Sequence, residues 1–130
     1  MKILRSKQRQ KLWQLWKRME RLVQQLDSNR PLVSGTLYLM GRKCGKATCR
    51  CARGELHKTW VLTRSEEGRT RLYSVKGEDR SPLRRWTQNY RIYQRGRAAL
   101  VKRGAELIRR VDQLAELQVV AWPSKKGRKR

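Results

Sequence analysis

The stretch Gly41-Arg42-Lys43-Cys44-Gly45-Lys46-Ala47-Thr48-Cys49-Arg50-Cys51-Ala52-Arg53-Gly54-Glu55-Leu56-His57 decides how this chain is organised, because it holds every cysteine and the one histidine of the protein. Three thiolates and an imidazole, spaced Cys-x4-Cys-x-Cys-x5-His, complete a tetrahedral zinc shell. Gly41, Gly45 and Gly54 interleave the ligands and free the backbone to wrap a small ion closely. Cys44, Cys49, Cys51 and His57 are therefore the candidate metal ligands, and zinc is the expected cofactor. Water or a residue of another chain is the alternative to His57 as fourth ligand, and it would leave the open position that catalytic zinc needs. A disulfide would strand the third thiol and is disfavoured in a reducing compartment. Unligated thiols are the remaining alternative.

Upstream of the motif, Leu12, Leu15, Trp16, Met19, Leu22, Val23 and Leu26 recur at steps of three and four, which predicts a helix over residues 3–27. Asp27 to Pro31 ends it, since Pro31 pushes its predecessor out of the helical region. Downstream, Ser81-Pro82 reads as an N-cap and first turn. From there Leu83, Trp86, Tyr90, Tyr93, Leu100, Leu107, Val111 and Leu114 keep a seven-residue repeat, predicting a helix over 82–119. Arg97 and Gly104 occupy core positions of that repeat, and Gly104 suits a bend or a close approach.

Between the helices lie three strand-like segments, Gly35–Met40, Thr59–Thr63 and Thr70–Val75, with Gly68 suited to the left-handed position of a hairpin. The expected fold class is α+β: a long antiparallel helical hairpin with a small metal-clipped antiparallel β-module, 35–77, inserted between its arms. A single domain over 1–123 and a disordered basic tail over 124–130 complete the expectation. The shorter first helix covers only part of the second, so Val101, Ile108, Leu117, Val119 and Val120 predict a larger protein partner or a second copy of the chain.

Charge points to the other partner. Thirty-four Lys and Arg face 10 Asp and Glu, a net +24, while hydrophobic residues make up 38% and Phe is absent. The core must be thin, with five Trp and four Tyr supplying much of its bulk. Nine bases meet two acids over 1–30, eleven meet five over 31–80 and fourteen meet three over 81–130, so the excess is not confined to a tail. A polyanion is the partner such repulsion calls for, and nucleic acid, DNA or RNA, is expected. Lys and Arg that merely solvate long helices are usually balanced by acids, which these are not.

Phosphate contacts are expected at three places. Arg42, Lys43, Lys46, Arg50 and Arg53 surround the cysteines. Arg95, Lys102 and Arg109 repeat every seven residues with Arg103 and Arg110 beside them, about 10.5 Å apart along a helix. Lys125, Lys126, Arg128, Lys129 and Arg130 form a basic tail. Trp16, Trp86, Tyr90 and Tyr93 fall on apolar stripes and are expected in the core, whereas Trp13 projects beside its stripe and is free to stack on a base.

No catalytic residues are expected: there is no second His, Glu66, Glu67, Glu78 and Asp79 sit in turns, and no phosphate-binding glycine loop occurs. No apolar run is long enough to span a membrane, and Met1-Lys2-Ile3-Leu4-Arg5-Ser6-Lys7 turns polar too early for a signal peptide, so the cytoplasm is the expected location.

Over Gly35 to Tyr90 the pattern of Gly35-Thr36-Leu37, Cys44-Gly45-Lys46, Cys49-Arg50-Cys51, Gly54-x-x-His57, Tyr73-x-Val75-Lys76 and Asn89-Tyr90 resembles a family of small uncharacterised bacterial and phage proteins. His57 is followed here by Lys58-Thr59-Trp60, where that family carries Gly-Pro and an aromatic run. The resemblance implies accessory genes of mobile elements. The expected function is then a non-enzymatic nucleic-acid-binding accessory subunit of a DNA- or RNA-processing complex. Alternatives are a ribosome-associated or general RNA-binding protein and a small zinc-dependent nuclease.

Overall fold

Helical spacing in the first part of the chain is realised in the computed structural model, which describes residues 2–124, as helix α1 (Lys2–Leu26). Strands β1 (Thr36–Arg42), β2 (His57–Glu66) and β3 (Arg69–Ser74) follow, then helix α2 (Arg80–Gln118). The architecture is α+β, as the sequence predicts. Two compact units form among the described residues, one from 2–28 with 96–124, the other from Asn29–Arg95.

The first unit pairs α1 with the later part of α2. Its register is antiparallel: Gln8 meets Arg110, Met19 approaches Gly104 and Leu26 packs on Gly96, so partner numbers fall as α1 advances. Leu15, on the centre of the predicted stripe, is buried. The close approach falls at Gly96 and not at Gly104. A Cβ on Gly96 would stand 2.7 Å from Leu26 Cδ2, whereas one on Gly104 would meet Met19 Cε at an ordinary 3.9 Å. α2 runs without a break through Gly104. The seam is narrow, which leaves Trp16 47% and Val111 44% exposed, against the expectation of core positions. Val101, Ile108, Val119 and Val120 are exposed as expected, and Leu117 is half-buried.

The second unit is an antiparallel sheet in the order β1-β2-β3, joined to the first part of α2. β1 pairs with β2 from Thr36↔Thr63 to Arg42↔His57, and β2 with β3 from Val61↔Ser74 to Glu66↔Arg69. Two residues make the hairpin, Glu67 and Gly68, both with positive φ (50° and 77°), the type I′ geometry that matches strand twist. Glu66 consequently ends β2 and is not a turn residue. Neighbouring strand residues point to opposite faces, yet Val61 and Leu62 are both buried, so β2 is covered on both sides.

Residues 29–35 are tied to α2 by two hydrogen bonds: Val33 N–H donates to Trp86 O (3.2 Å) and Asn89 Nδ2 to Pro31 O (3.1 Å). Trp86, Tyr90 and Tyr93 are half-buried, and the rings of Tyr90 and Tyr93 lie 5.7 Å apart. α2 starts earlier than Ser81-Pro82 suggests, because a 3-10 turn over Gly77–Asp79 begins the winding and leads directly into Arg80.

Candidate metal centre

The ligand loop is held at its two ends by the sheet. β1 and β2 extend further into it than strand propensity predicts, so Gly41 and Arg42 belong to β1 and His57 opens β2. His57 sits opposite Arg42, and the ladder thereby delivers the last candidate ligand to the base of the loop. Gly41 permits this: a Cβ there would lie 2.9 Å from Leu56 Cδ1. Cys51 sits in a short 3-10 turn, Arg50–Arg53, which closes with Gly54 in the left-handed region and buries the Cys51 side chain almost completely.

Sγ of Cys44, Cys49 and Cys51 and a ring nitrogen of His57 all lie within 4.8 Å of one another. Cys49 Sγ is 3.0 Å from His57 Nε2, and Cys51 Sγ is 3.3 Å from Cys44 Sγ. Around a tetrahedral ion with metal–sulfur bonds of about 2.3 Å, neighbouring sulfurs stand about 3.8 Å apart. These four donors need shifts of less than about 1 Å to reach that arrangement. They can hold one metal ion.

Backbone amides converge on the same sulfurs. The Cys44 N–H donates to Cys51 Sγ at 3.2 Å, which leads the causes that lower the Cys51 thiol, with thiol bonds from Cys44 and Cys49 adding against the effect of burial. The Cys51 N–H does the same for Cys49, helped by Cys44 and His57. For Cys44, the Lys46 N–H pulls down, but sharing hydrogen bonds with Cys51 and Cys49 and some burial win, and its thiol is raised. Gly45, at φ 82°, makes the turn between Cys44 and Lys46. Amides aimed at sulfur favour thiolate, the form that binds metal.

The cationic candidates divide. Arg42, Lys43, Lys46, Arg50 and Arg53 are exposed around the cysteine cluster, as are Arg95, Lys102 and Arg109 on α2. Arg103 and Arg110 are instead half-buried: Arg103 pairs with Glu106 one turn on along α2 (3.6 Å), and Arg110 donates across the inter-helix seam to Gln8 Oε1 (3.5 Å). Lys125, Lys126, Arg128, Lys129 and Arg130 lie outside the described residues.

Two further groupings escape a reading of the sequence. Arg80 and Arg84 lie over the Trp60 ring, at 5.1 and 5.8 Å from its centroid. Their i, i+4 spacing marks one helix face, but nothing in sequence joins that face to Trp60. Glu66, expected only to solvate a turn, accepts from Tyr73 (2.6 Å) and Arg64 (2.7 Å), with Arg71 at 3.6 Å. The Tyr73 hydroxyl first, then Arg64, hold its carboxyl below the usual range. Among the described residues no helix is long and apolar enough to cross a membrane.

An α+β chain with a Cys3His cluster at one end of a three-stranded sheet is thus defined. Residues 8–85 match the model of a domain of unknown function (DUF6788), and the chain belongs to that family. The match starts inside α1, well before the resembling segment that begins at Gly35. No curated protein and no solved structure matches the chain.

Proposed function

We propose that this protein is a non-enzymatic nucleic-acid-binding accessory subunit whose β-module is stabilised by one zinc ion on Cys44, Cys49, Cys51 and His57. The observation that carries the nucleic-acid reading is the shortage of internal partners for the cations. Among the described residues only Arg64, Arg71 and Arg103 lie within ion-pair distance of a carboxylate. Arg110 on Gln8 and Arg80 and Arg84 over Trp60 aside, the other described cations stay available to an external polyanion, and phosphate supplies one. Three thiols and an imidazole favour zinc over hard cations, which prefer oxygen ligands. Four protein donors close the shell, so the ion's role is structural.

A DNA- or RNA-processing assembly of a mobile element suits this charge and the small size of the chain. The exposed side chains of Val101, Ile108, Val119 and Val120 offer such an assembly a protein-docking surface. The test is purification at moderate salt without nuclease, followed by sequencing of the nucleic acid retained and metal analysis of the same sample. Stoichiometric zinc and an enriched DNA or RNA population are the expected results. Protein free of nucleic acid, with no affinity for DNA or RNA at low salt, rejects the reading.

A further inference from the structure

We infer that the outer face of α1 binds single-stranded nucleic acid, with Trp13 stacking on an unpaired base. This rests on the nucleic-acid reading above and assigns it a site and a ligand class. Lys2, Arg5, Arg9, Gln10, Trp13, Gln14 and Lys17 line one open groove along α1, and all are exposed. Arg9 and Lys17 stand four residues on either side of Trp13, one helical turn each way.

Three features separate this face from an ordinary solvated one. The first nineteen residues contain seven bases and no acid, and among the described residues none of Lys2, Arg5, Arg9 or Lys17 meets a carboxylate. Lys2 and Arg5 also sit at the helix's N-terminal end, where the macrodipole disfavours cations, so an anion there relieves both unfavourable terms. Trp13 is 56% exposed, yet it also borders the apolar groove of Leu12, Trp16, Leu107 and Val111. The indole therefore borders an apolar groove on one side and the basic groove on the other.

A ring presented in this way reaches a base face only when the base is unstacked, which selects single strands over duplex. Gln10 and Gln14 beside it offer amides to base edges. From Lys2 to Lys17 the helix rises about 22 Å at 1.5 Å per residue. At about 3.4 Å per stacked nucleotide that length spans about six phosphates.

The experiment uses the full chain and fluorescence anisotropy with labelled oligo-dT, oligo-rU and a mixed duplex, each about twelve nucleotides long, across a salt series. The variants are Trp13→Ala, Trp13→Phe and the triple Arg5→Gln, Arg9→Gln, Lys17→Gln, with helix content and melting measured for each. Trp13→Ala should weaken both single strands about ten- to hundred-fold. Duplex affinity should stay within about two-fold, and Trp13→Phe should recover most of the loss. In the triple variant the slope of log affinity against log salt should fall by about 2, at about 0.7 counterion per phosphate. A preference for oligo-dT or oligo-rU identifies the natural strand, and either supports the site. An equal loss on duplex and single strands in Trp13→Ala, or no loss with an unchanged slope in the triple, overturns it while leaving the nucleic-acid reading intact. Failure of the unmodified chain to bind any probe defeats that reading itself.

Discussion

The β-module and the helical hairpin solve the same problem, a chain too polar for a thick core, by different means. In the β-module a buried cysteine, Cys51, joins Val61 and Leu62 as an interior residue, and four metal donors converge where apolar bulk is missing. Among the described residues the hairpin has no such cluster. It relies on a narrow seam with Leu15 as its buried residue and on a glycine, Gly96, that lets Leu26 close in. On the proposed reading, point-like bonds to a metal ion substitute for area in one region, and close approach substitutes for it in the other.

Metal removal is the strongest way to break this comparison. Binding free energies of structural zinc are about 10–16 kcal/mol, and that energy becomes folding energy where the apoprotein has little else. Chelation, or Cys51→Ser, should therefore erase the sheet amide signals of β1, β2 and β3 in NMR spectra while helical circular dichroism from α1 persists. Simultaneous loss of both would show that the two regions do not stand separately.

Truncating Leu15 attacks the other region. Leu15→Ala should cost about 2–4 kcal/mol by chemical denaturation, since it empties the most buried position of the seam. Zinc content should remain unchanged. A smaller effect comes from the two glycines of α2. Gly104→Ala should stabilise the hairpin by about 1 kcal/mol, because helix propensity improves and the new methyl meets only Met19 at ordinary distance. Gly96→Ala should gain less, since its methyl must displace Leu26 Cδ2. Thermal melts that rank the two the other way would relocate the close approach.

The smallest expected effect lies at the hairpin of the sheet. The folded-state pKa of Glu66 is lowered, so its contribution is present above its unfolded value, near 4.5, and is lost as pH falls through the folded one. The β2–β3 hairpin should loosen in acid over that window. Glu66→Gln should flatten the dependence, read as amide exchange at Tyr73 and Arg64.

Both helices were legible because Leu12 to Leu26 and Leu83 to Leu114 keep a period that few other structures require. The ligand set was legible because rare residue types cluster in one short segment. Less visible were effects set by contact across the fold. Gly41 and Arg42 have little strand propensity, yet pairing with Lys58 and His57 extends the ladder over them. The Ser81-Pro82 signal was overridden by the 3-10 turn before it. Nothing local distinguishes Gly96 from Gly104, since the difference is made by Leu26 on the opposing helix. Arg110 reads as a free cation until Gln8 is placed beside it, whereas the Arg103–Glu106 pair, three residues apart on one helix, was open to a sequence reading.

The pairing of Arg42 with His57 has a consequence for how this molecule is measured. A ligand carried on a ladder is present only while the ladder is closed, so each fraying of the β1–β2 end detaches one donor from any ion held there. The rate at which a chromogenic chelator strips the ion then follows the opening frequency of the sheet, and its equilibrium counterpart follows the sheet's stability. A substitution as distant as the Thr36↔Thr63 end of the same pair should then become audible in metal release, without any change in the four candidate ligands themselves.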